Sequence, residues 1–145
     1  MTTPASTLNG RVIALAHYAS RALLEGVLHR HGATFQQSVT LRAVVAAGGT
    51  LGRDDLVRDV TGSLKAAPTE MHAVIDELTS AKLLEQDASL LRLTDAGREL
   101  HETTTTETAR ISARLYADIP QDDLAVAARV LGLLTDRANA ELSAA

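Results

Sequence analysis

The sequence contains no cysteine, no tryptophan and only three aromatic residues among its 145. Without cysteine there is no disulfide framework, no thiolate-bound zinc and no thiol nucleophile. The apolar runs are too short for a transmembrane span, and the start lacks the basic and apolar segments of a secretory signal. We therefore expect a cytoplasmic protein without a membrane partner, and the length favours one continuous domain.

Aliphatic residues dominate instead, and their spacing predicts a mainly α-helical protein. Apolar residues recur every three or four positions, which predicts helices over residues 8–30, 34–47, 53–60, 94–117 and 121–142. A further helix is predicted to begin at Pro68, with Met71, Val74, Ile75 and Leu78 on its apolar face. Residues 61–68 are expected to form a loop before the helix that Pro68 begins. Residues 83–84 and 90–93 are expected to form two short strands around a turn. This order is the outline of a winged helix-turn-helix.

Residues 78–100 carry the most specific similarity to a known family. Their sequence, LTSAKLLEQDASLLRLTDAGREL, resembles the MarR family of bacterial transcriptional regulators from the recognition helix through the wing to the next helix. Leu93, Thr94 and Gly97 occupy the L-T-x-x-G pattern that opens that helix in the family. The stretch TLRAVVAAGGTLGRDDLV is similar to the family's second and third helices, so the resemblance covers nearly the whole chain.

The resemblance implies a winged helix-turn-helix with long N- and C-terminal dimerisation helices and a short two-stranded wing. Residues 1–33 and 95–145 would form the helical dimerisation region, and residues 34–94 the winged helix-turn-helix lobe. It also implies a homodimer bound to double-stranded promoter DNA, with its recognition helices in successive major grooves about 34 Å apart. A small organic ligand, such as an aromatic acid, would release the DNA by changing the lobe spacing.

Seven residues are predicted to contact DNA, because they place cations or hydrogen-bonding groups on the recognition helix, its flanks or the wing. They are Arg53, Lys65, Thr69, His72, Lys82, Ser89 and Arg92. Two observations oppose this interpretation. Ser89 stands where the family wing carries an arginine, and residues 50–95 contain nine carboxylates against five cations. Arg92 has an alternative role as a partner of the nearby carboxylates.

Polar residues on the first helix are the predicted ligand contacts. Arg11, His17, Tyr18 and Arg21 lie within a few helical turns, and Tyr18 and Arg21 share a face. An arginine binds a carboxylate with two donors, while tyrosine or histidine orients a phenol or carbonyl. The alternative is that these four residues are surface groups at a dimer interface.

The histidines do not form a recognisable metal motif, so neither a metal nor a cofactor is expected. His29 and His31 lie at a helix end, where the helix dipole favours them, although His101 with Glu99 or Glu102 offers a zinc-sensing alternative. No catalytic motif is present, and no catalytic residue is assigned.

Two functions therefore remain open. One is a ligand-responsive, DNA-binding regulator. The other is a DNA-incompetent protein of the same fold whose dimer cleft binds or converts a small molecule. In that second case His17 or Tyr18 would supply acid–base chemistry.

Overall fold

The computed structural model describes residues 7–145, so the first six residues of the predicted dimerisation region lie outside the described part. The described residues form six helices and three strands, which confirms the prediction of a mainly α-helical winged helix-turn-helix. In chain order these are α1 (Gly10–Arg30), α2 (Phe35–Ala46), β1 (Thr50–Gly52), α3 (Arg53–Leu64), α4 (Pro68–Ser80), β2 (Leu84–Asp87), β3 (Leu90–Leu93), α5 (Asp95–Leu115) and α6 (Gln121–Ala144).

Side chains at the helix starts specify where several helices begin. The Asn9 side chain accepts a hydrogen bond from the Val12 N–H at 3.0 Å and caps α1. Thr34 and Gln37 form a reciprocal capping box at the start of α2. Pro68 occupies the first turn of α4, where its missing N–H leaves no bond unmade. These caps satisfy backbone donors that have no partner within the helix.

The predicted loop over residues 61–68 is wrong in its first half, because α3 continues to Leu64. Val57 and Val60 are buried, and Leu64, four residues further on, packs against the same core. Leu64 therefore extends the apolar stripe of the helix by one turn. Lys65 then ends the helix, with its N–H bonded to the Thr61 carbonyl at 2.9 Å. Only residues 65–67 connect α3 to α4.

The sheet contains one strand more than the predicted two-stranded wing. Its order is β1-β3-β2, and both pairings are antiparallel. The first wing strand begins at Leu84 rather than residue 83 and runs on to Asp87, which leaves a two-residue turn. Strand β1 was missed because three residues after the Gly48-Gly49 turn are too few to show an alternating pattern. With β1 on one side and β2 on the other, β3 is hydrogen-bonded along both of its edges.

The core lies between α2, α3, α4 and the sheet. Contacts divide the chain into a compact unit that ends at Ile111 and a second unit, Ser112–Ala145. Within α1, which belongs to the first unit, only Val27 and Leu28 are buried. In the second unit, α6 has no buried residue along its 24 residues. Among residues 7–145, no helix is both long enough and apolar enough to cross a membrane.

The L-T-x-x-G pattern has a structural cause at the start of α5. Leu93 is buried in the core, and the Thr94 hydroxyl oxygen accepts a hydrogen bond from the Gly97 N–H at 3.0 Å. Gly97 is itself buried against the backbone of the segment between α4 and β2. A Cβ atom on Gly97 would lie 2.1 Å from the Leu83 carbonyl oxygen. Glycine is therefore required by space at this position.

We expect Gly97→Ala to lower the free energy of unfolding by about 3 kcal/mol, since the clash is with backbone and α5 must shift. Gly62→Ala is the matched control, because no atom lies within 4 Å of its added Cβ and the residue is inside α3. That change should raise stability by about 0.5 to 1 kcal/mol. Urea unfolding at one protein concentration measures both, and equal midpoints for the two variants would contradict this account.

Candidate nucleic-acid interface and ligand cleft

Helices α3 and α4 form the helix-turn-helix, and α4 is the candidate recognition helix. Its apolar face packs into the core through Met71, Val74, Ile75 and Leu78. The opposite face leaves Thr69 and Ala73 exposed and His72 half-buried. Small side chains and hydrogen-bonding groups on an exposed helical face suit an approach to base edges in the major groove.

Arg53, at the start of α3, connects the recognition helix to the wing. Its Nε donates to Nδ1 of His72 at 3.0 Å, and its Nη2 donates to the His72 carbonyl at 3.2 Å. The same Nη2 donates to Asp76 at 2.8 Å, while Nη1 donates to the Gln86 side chain on β2 at 2.8 Å. We refer to Arg53, His72, Asp76 and Gln86 as the Arg53 cluster.

The cluster changes the role that Arg53 has among the predicted DNA contacts. Its guanidinium group has five N–H donors. The four hydrogen bonds above occupy most of them, and the side chain is only 18% exposed. Arg53 therefore fixes the position of α4 relative to β2, and few of its N–H donors are left for a phosphate.

Several carboxylates of the lobe have hydrogen-bonding partners. Asp76 pairs with Arg53, and Asp55 pairs with Arg58 at 3.2 Å. Glu77 of α4 accepts a hydrogen bond from the Gln37 amide at 2.9 Å, so this side chain is directed toward α2. The two ion pairs use one cation for each carboxylate, so seven carboxylates and three cations remain and the lobe stays acidic.

Three predicted cations, Lys65, Lys82 and Arg92, have no ion pair within residues 7–145. Lys65 precedes α4 and donates to the Gly62 carbonyl at 2.6 Å, and Lys82 follows α4. Arg92 is exposed on β3 directly opposite Glu85, yet the two side chains form no ion pair within 4 Å. The three cations therefore lie before the recognition helix, after it and on the wing. Ser89 is exposed at the turn between β2 and β3.

A cleft of about 310 Å³ opens beside the start of the recognition helix. The Arg21 guanidinium carbon lies 4.1 Å from the centroid of the Phe35 ring, and its Nε donates to Glu25 at 2.9 Å. Lys65 and Glu70 also line the cleft. The lining residues, from α1, α2, α3, α4 and the α3–α4 connection, are Arg21, Phe35, Gln36, Leu64, Lys65, Ala66, Ala67 and Glu70.

Of the four predicted ligand residues, only Arg21 lines this cleft. Arg11, His17 and Tyr18 are exposed on α1, and the rings of His17 and Tyr18 are 6.0 Å apart. Sequence reasoning missed Phe35, the only phenylalanine of the chain. No signal in the sequence marks Phe35 as a site residue, because its contact with Arg21 depends on how α1 and α2 pack.

His31 takes part in a contact between two helices. Nε2 of His31 lies 3.0 Å from Glu107, whose carboxylate also accepts from Arg30 at 3.0 Å. This contact ties the end of α1 to α5. Within residues 7–145, no group of three or more His, Asp or Glu side chains is arranged to hold a metal ion.

Comparison with solved structures finds MarR-type regulators. The reduced form of MarR from E. coli superposes with a TM-score of 0.70 at 18% identity, over 90% of this chain and 95% of that chain. NadR in complex with 4-hydroxyphenylacetate superposes with a TM-score of 0.70 at 17% identity, over 93% of this chain and 98% of that chain. CouR from Rhodococcus jostii RHA1 bound to p-coumaroyl-CoA superposes with a TM-score of 0.74 at 16% identity, over 87% of this chain and 90% of that chain. No protein-family model and no curated protein matches the sequence.

A helix-turn-helix followed by a β-hairpin that packs on the same core defines a winged-helix protein. The superpositions specify the fold further, because they extend over both long terminal helices as well as the lobe. The chain has the fold of the MarR-family transcriptional regulators.

We expect Arg53→Met to lower the free energy of unfolding by about 2 kcal/mol, because it removes four hydrogen bonds from a half-buried group. Arg58→Met is the matched control, since Arg58 is 78% exposed and pairs only with Asp55 three residues earlier. Its effect should stay within about 0.5 kcal/mol. Thermal and urea unfolding measure the difference, and equal losses for the two variants would show that the Arg53 cluster adds no stability.

Proposed function

We propose that the chain is a homodimeric transcriptional regulator that binds promoter DNA and is released by a small organic ligand. The observation that supports it best is the arrangement around α4. Its exposed face presents Thr69 and His72, while Arg53 neutralises Asp76 on the same helix. Lys65, Lys82 and Arg92 surround this face with cations that have no carboxylate partner in the described part of the chain.

Dimerisation is supported by the uncovered apolar side chains of α1 and of α6. On α1, Val12, Leu15 and Leu23 are more than two-fifths exposed. On α6, Leu131 and Leu142 lie on one stripe with Leu124, Ala128 and Ala138. Exposed stripes of this length are typical of interfaces, and a second copy of the chain is the partner that a symmetric regulator needs.

Two positions on α6 provide a matched test of the dimer. Leu131 is 42% exposed within the apolar stripe, whereas Ala125 is exposed on the polar side of the helix, between Asp122 and Arg129. We expect Leu131→Glu to shift the dimer to monomer at micromolar concentration, since it places a carboxylate in the apolar stripe. Ala125→Glu should remain a dimer in sedimentation velocity. Dissociation of both variants or of neither would contradict the proposed interface.

DNA binding is tested by a salt series. The purified protein is titrated with its own upstream DNA and with a random duplex, and the affinity is measured at several salt concentrations. We expect tighter binding to the upstream DNA, with a steep loss of affinity as salt rises. Arg92→Gln or Lys65→Gln removes one cation per protomer, which should reduce the slope by about 1.8 per dimer if both copies contact phosphate.

Arg110→Gln, on α5, is the charge-matched control and should leave the slope unchanged. An unchanged slope for Arg92→Gln and Lys65→Gln would remove these residues from the interface. No binding of the wild-type protein at low salt would instead support the second candidate function, a DNA-incompetent protein with a small-molecule site. That alternative is favoured by one observation, the absence of any cation at the Ala88-Ser89 turn of the wing.

The proposed ligand site is the cleft beside α4. Arg21, stacked on the Phe35 ring, and Lys65 supply two cations for a carboxylate, and Leu64 and Ala66 add apolar surface, so the cleft suits a small aromatic acid. Because Glu70 belongs to the first turn of α4, a bound ligand would contact the recognition helix directly. In the same DNA assay, 4-hydroxybenzoate should release wild-type protein but not Arg21→Gln. Arg11→Gln, outside the cleft, is the control, and equal release of all three proteins would exclude this site.

A further inference from the structure

The contact between Arg53 and His72 has a chemical consequence for the proposed DNA interface. Nε of Arg53 is 3.0 Å from Nδ1 of His72. A guanidinium group remains protonated in proteins and only donates hydrogen bonds. Nδ1 of His72 must therefore be the acceptor, which means that it carries a lone pair and no proton.

The other bonds of Arg53 hold this contact in place. Nη1 is bonded to Gln86 of the wing, and Nη2 is bonded to both Asp76 and the His72 carbonyl. The planar guanidinium group cannot rotate away from the imidazole without losing its bonds to Gln86 of β2 and to two other groups of α4. Arg53 thus orients His72 through two bonds, one to its ring and one to its backbone carbonyl.

A neutral imidazole with a lone pair on Nδ1 carries its proton on Nε2. The Nε2–H bond points away from Arg53, because the two ring nitrogens direct their bonds outward from different edges. Within residues 7–145, His72 Nε2 has no hydrogen-bond partner. The structure thus leaves an oriented donor at the exposed face of α4.

We propose that Arg53 is a specificity-determining positioning residue, which locks His72 in the Nε2–H tautomer so that His72 donates to an acceptor on a base edge. In the major groove these acceptors are purine N7, guanine O6 and thymine O4, whereas the cytosine amino group is a donor and is refused. This inference rests on the proposed DNA binding. Thr69, whose hydroxyl both donates and accepts, adds no such discrimination.

The first test needs no DNA. Nitrogen-15 NMR of the imidazole groups in the full-length protein, at a pH where they are neutral, identifies the tautomer, and the spectrum of His72→Gln assigns the His72 signals. We expect the Nε2–H form in the wild-type protein and a mixture of both tautomers in Arg53→Met. Gln86→Ala is the matched control, because it removes one bond of Arg53 but leaves the bond to Nδ1. A wild-type His72 in the Nδ1–H form, or in a mixture, would overturn the inference.

The second test measures base discrimination. Selection from a randomised duplex library should enrich, at one position per half-site, a base that offers an acceptor, and His72→Ala should lose that preference. Placing cytosine at this position should weaken wild-type binding about tenfold, but the binding of His72→Ala less than twofold. Arg53→Met, which frees the tautomer, should tolerate cytosine better than Gln86→Ala does. Equal discrimination by wild type and Arg53→Met would overturn the role of Arg53.

The two tests separate the inference from the function on which it rests. A locked tautomer with no DNA binding at low salt would refute the regulator and the base contact, and would leave Arg53 as a purely structural residue. DNA binding with an unlocked tautomer would refute the inference and leave the regulator standing. Arg53→Met is compared only where circular dichroism shows it folded, and the wild-type spectrum decides the tautomer without any variant of Arg53.

Discussion

The geometry of the winged-helix lobe depends on one planar charged group. The Arg53 guanidinium contacts the recognition helix at two residues and the first wing strand at a third. Apolar packing beneath α4 fixes how deeply the helix sits, but Leu and Val side chains place few constraints on sliding or rotation. Hydrogen bonds with defined directions supply that constraint. Arg53 therefore controls the spacing between α4 and the first wing strand, and under the proposed function this spacing would set which grooves the two elements reach together.

The acidic composition of the lobe takes on a different meaning when partners are assigned. A count of formal charges treats all nine carboxylates as if they faced DNA. Asp76 and Asp55 are paired with arginines, and Glu77 is directed toward an amide on α2. The same pairs remove Arg53 and Arg58 from the supply of cations. Outside the two ion pairs, seven carboxylates face three cations, so the net charge of the lobe remains −4. Under the proposed function, phosphate contacts would be few and recognition would rest more on hydrogen bonds to bases.

Sequence periodicity predicted most of the fold, because long amphipathic helices carry their pattern over several turns. It failed at α3, where Leu64 continued the stripe through a segment rich in small and polar residues, and at β1, which is too short to alternate. The candidate site was harder to predict from the sequence, for a related reason. Arg53 and His72 are 19 residues apart in the chain, and Arg21 and Phe35 meet only because α1 packs near α2. A contact made by tertiary packing leaves no local pattern in the sequence.

Two lysines of the winged-helix lobe have a strained backbone conformation. Lys65, which ends α3, and Lys82, which follows α4, have φ values of 56° and 62°, in the left-handed region where a side chain is strained. Ala88 and Asp118 share this conformation, so the strain belongs to tight turns and not to positive charge. Glycine would relieve about 1 kcal/mol at each position. Replacing both lysines by glycine would therefore make the lobe more heat-resistant while removing two of its three cations that have no ion pair in the described part of the chain.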